Sequence, residues 1–338
     1  MSARAAWGDL AVGADLGGTM LKVALMTRAG QVLALRRQPM PAQAEPERVA
    51  ELLAGTVYDL LAEAGCQPDD LAGVGVSMAA FVTAEGVVTA TAHLSPQWVG
   101  GNVQALLQPR LPANYYFALD TPAPALGEAY YGAGRGMNDF AYVTVSTGIG
   151  AGIISQGRVF TGGLGWAGGV GHVIVEPEGP RRCEGCGNYG CLETYAAKQG
   201  ILALTAEAMA AFPESALHGL AGAVTPQAVA AAARAGDEAA GQVFERAGYY
   251  LGLGLTHLVN ILSPRCIVVG GGIAQAGDQL FEPARRVIAR CAFPPPHRAV
   301  PVVPAALGDL SGVYGAATMV FHDIRVNAAE PEGQTHAH

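Results

Sequence analysis

The sequence predicts a two-domain α/β protein. At 338 residues the chain is too long for one ordinary hydrophobic core. With 51% apolar and 14% charged residues it has the material to fill two. A plan of strand, polar residue, glycine-rich turn and strand occurs twice, around Asp15 and around Ser146, which points to two related halves although no strict repeat is visible. The expected organisation is an N-terminal α/β domain over 1–122, to which a last helix near 311–323 returns, and a C-terminal α/β domain over 123–310. Residues 324–338 are polar and aperiodic and read as a disordered tail.

Residues 1–8 read as a loose tail. A short apolar run over 10–15 ends in an acid, and Met20–Thr27 and 32–37 read as strands joined at Ala29-Gly30. The chain therefore opens on a β-hairpin. Val49, Leu52, Leu53, Val57, Leu60 and Leu61 recur at helical spacing within 45–64. Segments 72–77 and 87–91 read as strands, 102–108 as a short helix with Asn102 as its cap, and Tyr115–Leu119 as a strand running into Asp120. Pro122 and Pro124 break that strand and lead to a helix over 125–131. The second round has a strand over 141–146, a turn over 147–150, a strand over 151–155 and a hairpin at Gln156-Gly157 into Arg158–Phe160. Residues 161–191 are glycine-rich and loop-like. From Leu192 onward the chain is alanine-rich and largely helical, most clearly over 237–260. A buried strand follows at 266–269, and a last helix at Ser311–Phe321.

A net charge of −8 without a basic stripe argues against a nucleic-acid partner. Residues 1–9 lack the apolar stretch of a signal peptide, and no uncharged apolar run is long enough to span a bilayer. A cytoplasmic protein with no membrane partner is the expectation. Of the six cysteines, Cys66, Cys266 and Cys291 lie scattered in or near apolar segments and read as small buried hydrophobes.

Five groups of residues carry chemistry. Asp15 is followed by Gly17, Gly18 and Thr19, with Lys22 three residues later: glycines leave backbone N–H groups open to a phosphate, and an acid at a strand end can hold Mg²⁺ through water. An ordinary hairpin turn explains the same residues about as well. Ser146, Thr147, Gly148 and Gly150 form a second turn suited to phosphate. It is neither a Walker loop, since no Gly-Lys-Ser/Thr follows, nor a Rossmann fingerprint, since a hairpin follows rather than a helix. Bound ATP would lie between two β-rich turns. Gly270, Gly271 and Gly272 follow a buried strand and offer a flat platform for a planar base, with a tight strand–helix turn as the equal alternative. Asp120 ends an apolar strand before prolines, where a carboxylate can take a proton from a substrate hydroxyl; helix capping is the competing role. His172 with Cys183, Cys186 and Cys191 has a Cys-x₂-Cys spacing and a closed set of one imidazole and three thiolates, which reads as a structural zinc site in preference to free thiols.

In this order and spacing the residues resemble the ROK (repressor, ORF, kinase) family from about Val12 to Met319. The family's Asp-x-Gly-Gly-Thr-x-x-Lys appears as Asp15, Gly17, Gly18, Thr19 and Lys22, and its second phosphate turn as Ser146 to Gly150. Its Asp-x₇-Glu appears as Asp120 and Glu128, and its Gly-His followed by Cys-Gly-x-x-Gly-Cys-x-Glu as Gly171, His172, Cys186, Gly187, Gly190, Cys191 and Glu193. The resemblance implies a two-domain actin/hexokinase-like (ribonuclease H-like) fold whose interdomain cleft closes on a sugar and Mg·ATP. It implies a glucokinase-like enzyme with Asp120 deprotonating a hexose hydroxyl, and His172 and Glu193 at the sugar, His172 also ligating zinc. The family is often dimeric, which implies a homodimer.

Several residues depart from the family pattern. Gly169 stands where the family's sugar kinases have a sugar-binding Glu, Leu119 where an Asn precedes the catalytic Asp, Ser77-Met78-Ala79-Ala80 where Gly-x-Pro-Gly is usual, and His93 where an Asn is usual. The first two cysteines lie one residue further apart than the common Cys-x-Cys. The phosphate side is retained and the sugar side has lost polar groups, so weak or altered sugar specificity is expected. A non-catalytic sugar or nucleotide sensor of the same fold, or a kinase for a different sugar, is the alternative.

Overall fold

The computed structural model describes residues 9–41, 45–91, 94–220 and 224–326. The expected tail over 1–8, His93, and residues 327–338 of the expected C-terminal tail lie outside them. In chain order the elements are β1 (Leu10–Leu16), β2 (Met20–Thr27), β3 (Val32–Pro39), α1 (Pro46–Ala64), β4 (Leu71–Met78), β5 (Ala80–Val82), β6 (Val88–Thr91), α2 (Val103–Leu107), β7 (Tyr115–Leu119) and α3 (Pro122–Tyr131). There follow β8 (Phe140–Val145), β9 (Ile149–Ser155), β10 (Arg158–Phe160), α4 (Glu193–Ala196), α5 (Lys198–Ala211), α6 (Pro226–Arg234), α7 (Glu238–Leu262), β11 (Ile267–Gly270), α8 (Asp278–Cys291), β12 (Val302–Pro304) and α9 (Ser311–Phe321).

The chain divides into two compact units, Met1–Tyr131 with Leu310–His338, and Gly132–Asp309. Helix α3 falls in the first unit, where it packs on α9, whereas the sequence-based division had placed it in the second.

The first unit is built on a sheet of order β3-β2-β1-β4-β7, antiparallel at the β1–β2–β3 meander and parallel across β1, β4 and β7. Side chains alternate between its faces. Val12, Ala14, Leu16, Val74, Val76 and Met78 join Val49, Leu53, Val57 and Leu60 of α1 in one apolar core. The intervening Gly13 and Gly75 face α9, and they do so because nothing larger fits. A Cβ on Gly13 would lie 2.1 Å from the Val313 carbonyl oxygen, and one on Gly75 would lie 1.9 Å from that of Ala316. Gly315 of α9 meets α3 in the same way, with a Cβ 1.6 Å from the Ala123 carbonyl oxygen. Backbone-to-backbone contact thus sets the depth at which α9 sits on β1 and β4.

The second unit repeats the plan with the order β10-β9-β8-β11-β12, again a three-stranded antiparallel meander continued by parallel strands. In each unit the first strand lies third in the sheet, so the duplicated plan read from the sequence is a duplicated topology. Its core joins Val143, Val145 and Val269 to Phe244, Leu251 and Leu255 of α7 and Phe281 of α8.

Some boundaries differ from expectation. The prolines do not precede α3 but form its first turn, where a missing N–H leaves no hydrogen bond unmade. Ile149 and Gly150 belong to β9 and pair with Val145 and Thr144, so the second turn is only residues 146–148. Gly270 is the last residue of β11, and a short 3₁₀ turn over Ala274–Ala276 separates the glycines from α8. Residues 324–326 are not tail-like: the Ile324 N–H donates to the Met319 carbonyl, and Val326 is buried. Asn102 does cap α2, its Oδ1 accepting from the Ala105 N–H at 2.9 Å. Among the described residues no helix is long and apolar enough to cross a membrane.

Gly315→Ala forces α9 off α3 and is expected to lower unfolding free energy by about 3 kcal/mol. Urea titration reads this as a fall in midpoint at unchanged slope.

Candidate active site and metal centre

In the first unit the candidate residues converge at the C-terminal ends of the parallel strands. Asp15 lies in β1, opposite Lys22 of β2 on one side and Ser77 of β4 on the other. Lys22 Nζ stands 3.5 Å from Asp15 Oδ2, and the Ser77 hydroxyl donates to Asp15 Oδ1 at 3.1 Å. The turn that follows is closed by the Gly17 N–H donating to the Met20 carbonyl at 3.0 Å, with Gly18 and Thr19 exposed. Neither Gly17 nor Gly18 has a positive φ. A Cβ on Gly17 would lie 3.3 Å from the Met20 carbonyl oxygen, so the tightness of the turn is itself a reason for glycine at that position.

Asp120 follows β7, its N–H donating to the Met78 carbonyl at 2.8 Å. Strand β4 separates β7 from β1, so Asp120 and Asp15 occupy strand ends about 10 Å apart, two interstrand spacings. Burial pushes the Asp120 carboxyl up to about 7, and the negative charge of Asp15 adds to the rise. A carboxylate held near neutrality is matched to proton transfer with a sugar hydroxyl.

In the second unit, the Ser146 N–H donates to the Gly148 carbonyl at 3.0 Å, and the Ser146 carbonyl accepts from the Lys198 N–H at the start of α5. Thr147 is exposed at the tip. The triple glycine lies beside this turn: a Cβ on Gly272 would be 3.9 Å from Ser146 Oγ, and the Ile273 N–H donates to the Val145 carbonyl. The three glycines have different reasons. Gly270 avoids the Tyr142 hydroxyl, 2.3 Å from where its Cβ would be. Gly271 has φ +93° and would meet the Val145 carbonyl at 2.4 Å. Only Gly272 is free of such demands, so the platform reading applies to it alone.

The metal set is assembled by the loop between β10 and α4. His172 closes a 3₁₀ turn over Val170–His172, and the loop returns through the Val175 N–H to Gly190 carbonyl bond and the Cys183 N–H to Asn188 carbonyl bond. Gly187 and Gly190 take φ values of +79° and +76°, which bend the chain back on itself. Donor atoms of His172, Cys183, Cys186 and Cys191 all lie within 4.8 Å of one another. Cys183 Sγ is 3.6 Å from His172 Nδ1, and Cys186 Sγ is 3.5 Å from Cys191 Sγ. Zinc–ligand bonds of about 2.0–2.3 Å in a tetrahedron give edges of roughly 3.3–3.8 Å, so the donor set fits zinc. The residue that widens the spacing from Cys-x-Cys includes Gly185, whose Cβ would lie 3.2 Å from His172 Cε1 and 3.3 Å from Glu193 Oε1. Without metal the buried Cys183 thiol is pushed up to about 12 by burial and by its bond to Glu193 Oε1 at 2.9 Å.

His172 and Glu193 are brought together as expected, Nδ1 lying 3.7 Å from Oε1. Gly169 begins the turn that carries His172, whose N–H donates to the Gly169 carbonyl. It differs from its glycine neighbours. Gly168 has φ +110° and Gly171 would place a Cβ 2.1 Å from the Ile149 carbonyl oxygen, whereas Gly169 has an ordinary φ of −70° and open space around its Cβ. The sequence showed the lost Glu at 169 but not that a side chain would be accommodated there. It also gave no sign of what Ser77 does, since the register that sets it against Asp15 is a property of the folded sheet.

Two sheets of one topology, paired carboxylates at strand ends and glycine turns suited to phosphate define a phosphotransferase-type α/β protein. The ROK family model matches residues 11–323, and the chain belongs to the ROK family. It is 32% identical over 316 residues to a glucokinase of Halalkalibacterium halodurans, covering 91% of this chain and 94% of that one. A Streptomyces griseus ROK glucokinase in complex with glucose and AMPPNP superposes with a TM-score of 0.78 at 28% identity, covering 92% of this chain and 98% of that one. A ROK-family transcriptional regulator, a homologue of the E. coli MLC protein, superposes with a TM-score of 0.82 at 26% identity, covering 93% of this chain and 78% of that one.

Two outcomes are expected. A strong chelator lowers the melting temperature by several degrees and metal analysis of untreated protein finds about one zinc per chain; unchanged melting of metal-free protein contradicts the zinc assignment. Gly169→Glu folds with a melting temperature within about two degrees of the parent, because nothing in the fold opposes the side chain.

Proposed function

We propose that this chain transfers the γ-phosphoryl group of ATP to a hydroxyl of a hexose, glucose being the reference substrate of its relatives, with Asp120 as general base. The observation that carries the reading is the placement of Asp120 just past the end of β7, across β4 from Asp15 with its Lys22 and Ser77 contacts; burial and the charge of Asp15 raise the Asp120 carboxyl to about 7. The hydroxyl proton passes to the Asp120 carboxylate as the sugar oxygen bonds to phosphorus. The bond from phosphorus to the bridging oxygen breaks, and ADP leaves.

Asp15 would hold Mg²⁺, usually through water, as suits an ion that keeps most of its hydration shell and takes only one or two carboxylates, and the ion would supply neutralisation of charge on the phosphate oxygens. The N–H groups of Gly18 and Thr19, with Lys22, face phosphate in the first unit, and Gly17 closes the turn that presents them. Ser146, Thr147 and Gly148 do so in the second, with Gly150 following in β9, and beyond Gly270 and Gly271 the backbone at Gly272 offers the flat surface on which the base rests. His172 and Glu193 hold sugar hydroxyls. With His172 Nδ1 turned to the thiols, the opposite ring nitrogen is the one available to substrate. Zinc on His172, Cys183, Cys186 and Cys191 is structural. A homodimer is the assembly this reading carries from the family. The sensor alternative is less favoured, because Asp15, Lys22 and Asp120 are all present in one unit, which supports a catalytic reading.

An ADP-release assay over a panel of hexoses tests the activity, and absence of turnover on every sugar refutes it. Asp120→Asn is expected to lower kcat by about 10²–10⁴-fold. The base form is the active one, so kcat/KM of the parent should fall about tenfold per pH unit below about pH 7 and level off above it. The same shift has a stability consequence. A folded value raised above 3.8 means the folded state binds this proton more tightly than the unfolded one, so stability from this group is complete at low pH and lost as pH rises through about 7. Asp120→Asn should therefore melt higher than the parent at pH 8, with the gap closing towards pH 4.

A further inference from the structure

Most buried hydroxyls in the described residues have an ordinary explanation. Thr56, Thr205, Thr256 and Thr318 each donate to a carbonyl four residues back along their own helix. Ser77 does not fit this pattern. It lies in a strand, is fully buried in the otherwise apolar run Val74-Gly75-Val76-Ser77-Met78, and its hydroxyl is bonded to a carboxylate. A buried hydroxyl costs free energy unless it is paired, and a carboxylate acceptor makes the pair stronger than a neutral one.

The surroundings of Asp15 give this bond a direction. Ser77 and Asp15 are register partners on neighbouring parallel strands, and both fall on the face that carries Gly13 and Gly75, the face covered by α9. On that side Gly312 closes in: a Cβ there would lie 2.8 Å from Asp15 Cγ and Oδ1. Oδ1 is thus held by the Ser77 hydroxyl with the first turn of α9 behind it, while Oδ2 is the oxygen towards Lys22. The Ser77 bond fixes Oδ1 and with it the orientation in which Asp15 presents its second oxygen. An unanchored carboxylate would have to be ordered when the metal–nucleotide complex binds, at a cost in side-chain entropy.

We propose that Ser77 is a positioning residue that anchors Oδ1 of Asp15 so that Oδ2 is preset to hold the hydrated Mg²⁺ of Mg·ATP. This rests on the assignment of Asp15 to the metal in the kinase reading. Ser77 itself touches neither sugar nor nucleotide. Its removal acts on metal–nucleotide affinity and leaves recognition of the sugar alone.

The test uses the full chain. Calorimetric binding of Mg·ADP and of metal-free ADP is measured for the parent, Ser77→Ala, Ser77→Cys and Asp15→Asn, with Mg²⁺ titrations of turnover and melting temperatures alongside. Ser77→Ala is expected to weaken Mg·ADP binding and raise half-saturating Mg²⁺ by about tenfold or more, the lower end of what loss of one charge-assisted hydrogen bond implies. KM for the sugar and the affinity for metal-free ADP should stay within twofold of the parent. Ser77→Cys, which keeps a weak donor, should fall between the two. A merely structural hydroxyl would give a lower melting temperature with Mg·ADP affinity and Mg²⁺ requirement unchanged, and that result overturns the proposal. The Asp15→Asn arm separates the two levels. If it leaves the Mg²⁺ requirement untouched, the metal assignment fails first. If it raises the requirement while Ser77→Ala does not, only the role of Ser77 fails.

Discussion

The chemistry depends on keeping two carboxylates of different character at the ends of nearby parallel strands. Asp15 is half-buried beside an ammonium and a hydroxyl. The Asp120 carboxyl is raised by burial and by the charge on Asp15, against the pull of a backbone amide. The environment therefore gives the two groups different surroundings, Asp15 set between Lys22 and Ser77 and Asp120 left able to gain and lose a proton near neutrality. Neither property belongs to an isolated aspartate. Both follow from the sheet order, which puts β4 and its Ser77 between the two strand ends.

Holding that arrangement is a task for the backbone. Helix α9 sits on β1 and β4 through glycines too closely spaced from its carbonyls to carry a side chain, and Gly312 brings its first turn against the Asp15 carboxylate. At the same end the buried Glu128 of α3 accepts a hydrogen bond from the Ser311 hydroxyl at 2.8 Å. A contact made by backbone is stiff, since there is no rotamer to absorb a shift. The candidate base and the metal-holding acid thus inherit their spacing from the glycine pattern of the strands below them.

Much of this was legible in the sequence because the signals were local. The hairpin openings at Asp15 and Ser146, the apolar strand ending at Asp120 and the Cys-x₂-Cys spacing each depend on residues within one turn or one strand, and the duplicated plan emerged as two sheets of the same order. What failed was also local but ambiguous. Pro122 and Pro124 read as breakers, yet the first turn of a helix accepts proline, so α3 starts earlier than expected. Ile149 and Gly150 looked like turn residues because glycine alternates with small side chains there, although in β9 such a run can pair with β8. The role of Ser77 was hidden for a deeper reason: its partner is 62 positions away in sequence and is chosen by strand register.

The glycines of the second unit separate structure from recognition. Gly168, Gly171, Gly190 and Gly271 stand where a Cβ would strike a carbonyl oxygen within 2.5 Å, so the fold alone accounts for them. Gly169 and Gly272 have room, ordinary contact and no strained φ, and folding gives no reason for either. A glycine without a structural reason is informative about what the surface must admit. Gly272 lies against the phosphate turn, where a flat backbone suits a nucleotide. Gly169 begins the turn that delivers His172, where the sugar kinases of the family carry an acid. The metal loop fixes His172 and Glu193 whether or not that acid is present, because their orientation comes from Cys183 and the chain reversal at Gly187 and Gly190. On the proposed reading, the missing acid therefore leaves the candidate sugar-facing pair in place and would remove a contact beside it, which bears on which sugar is preferred and leaves the placement of the candidate phosphate-side groups intact.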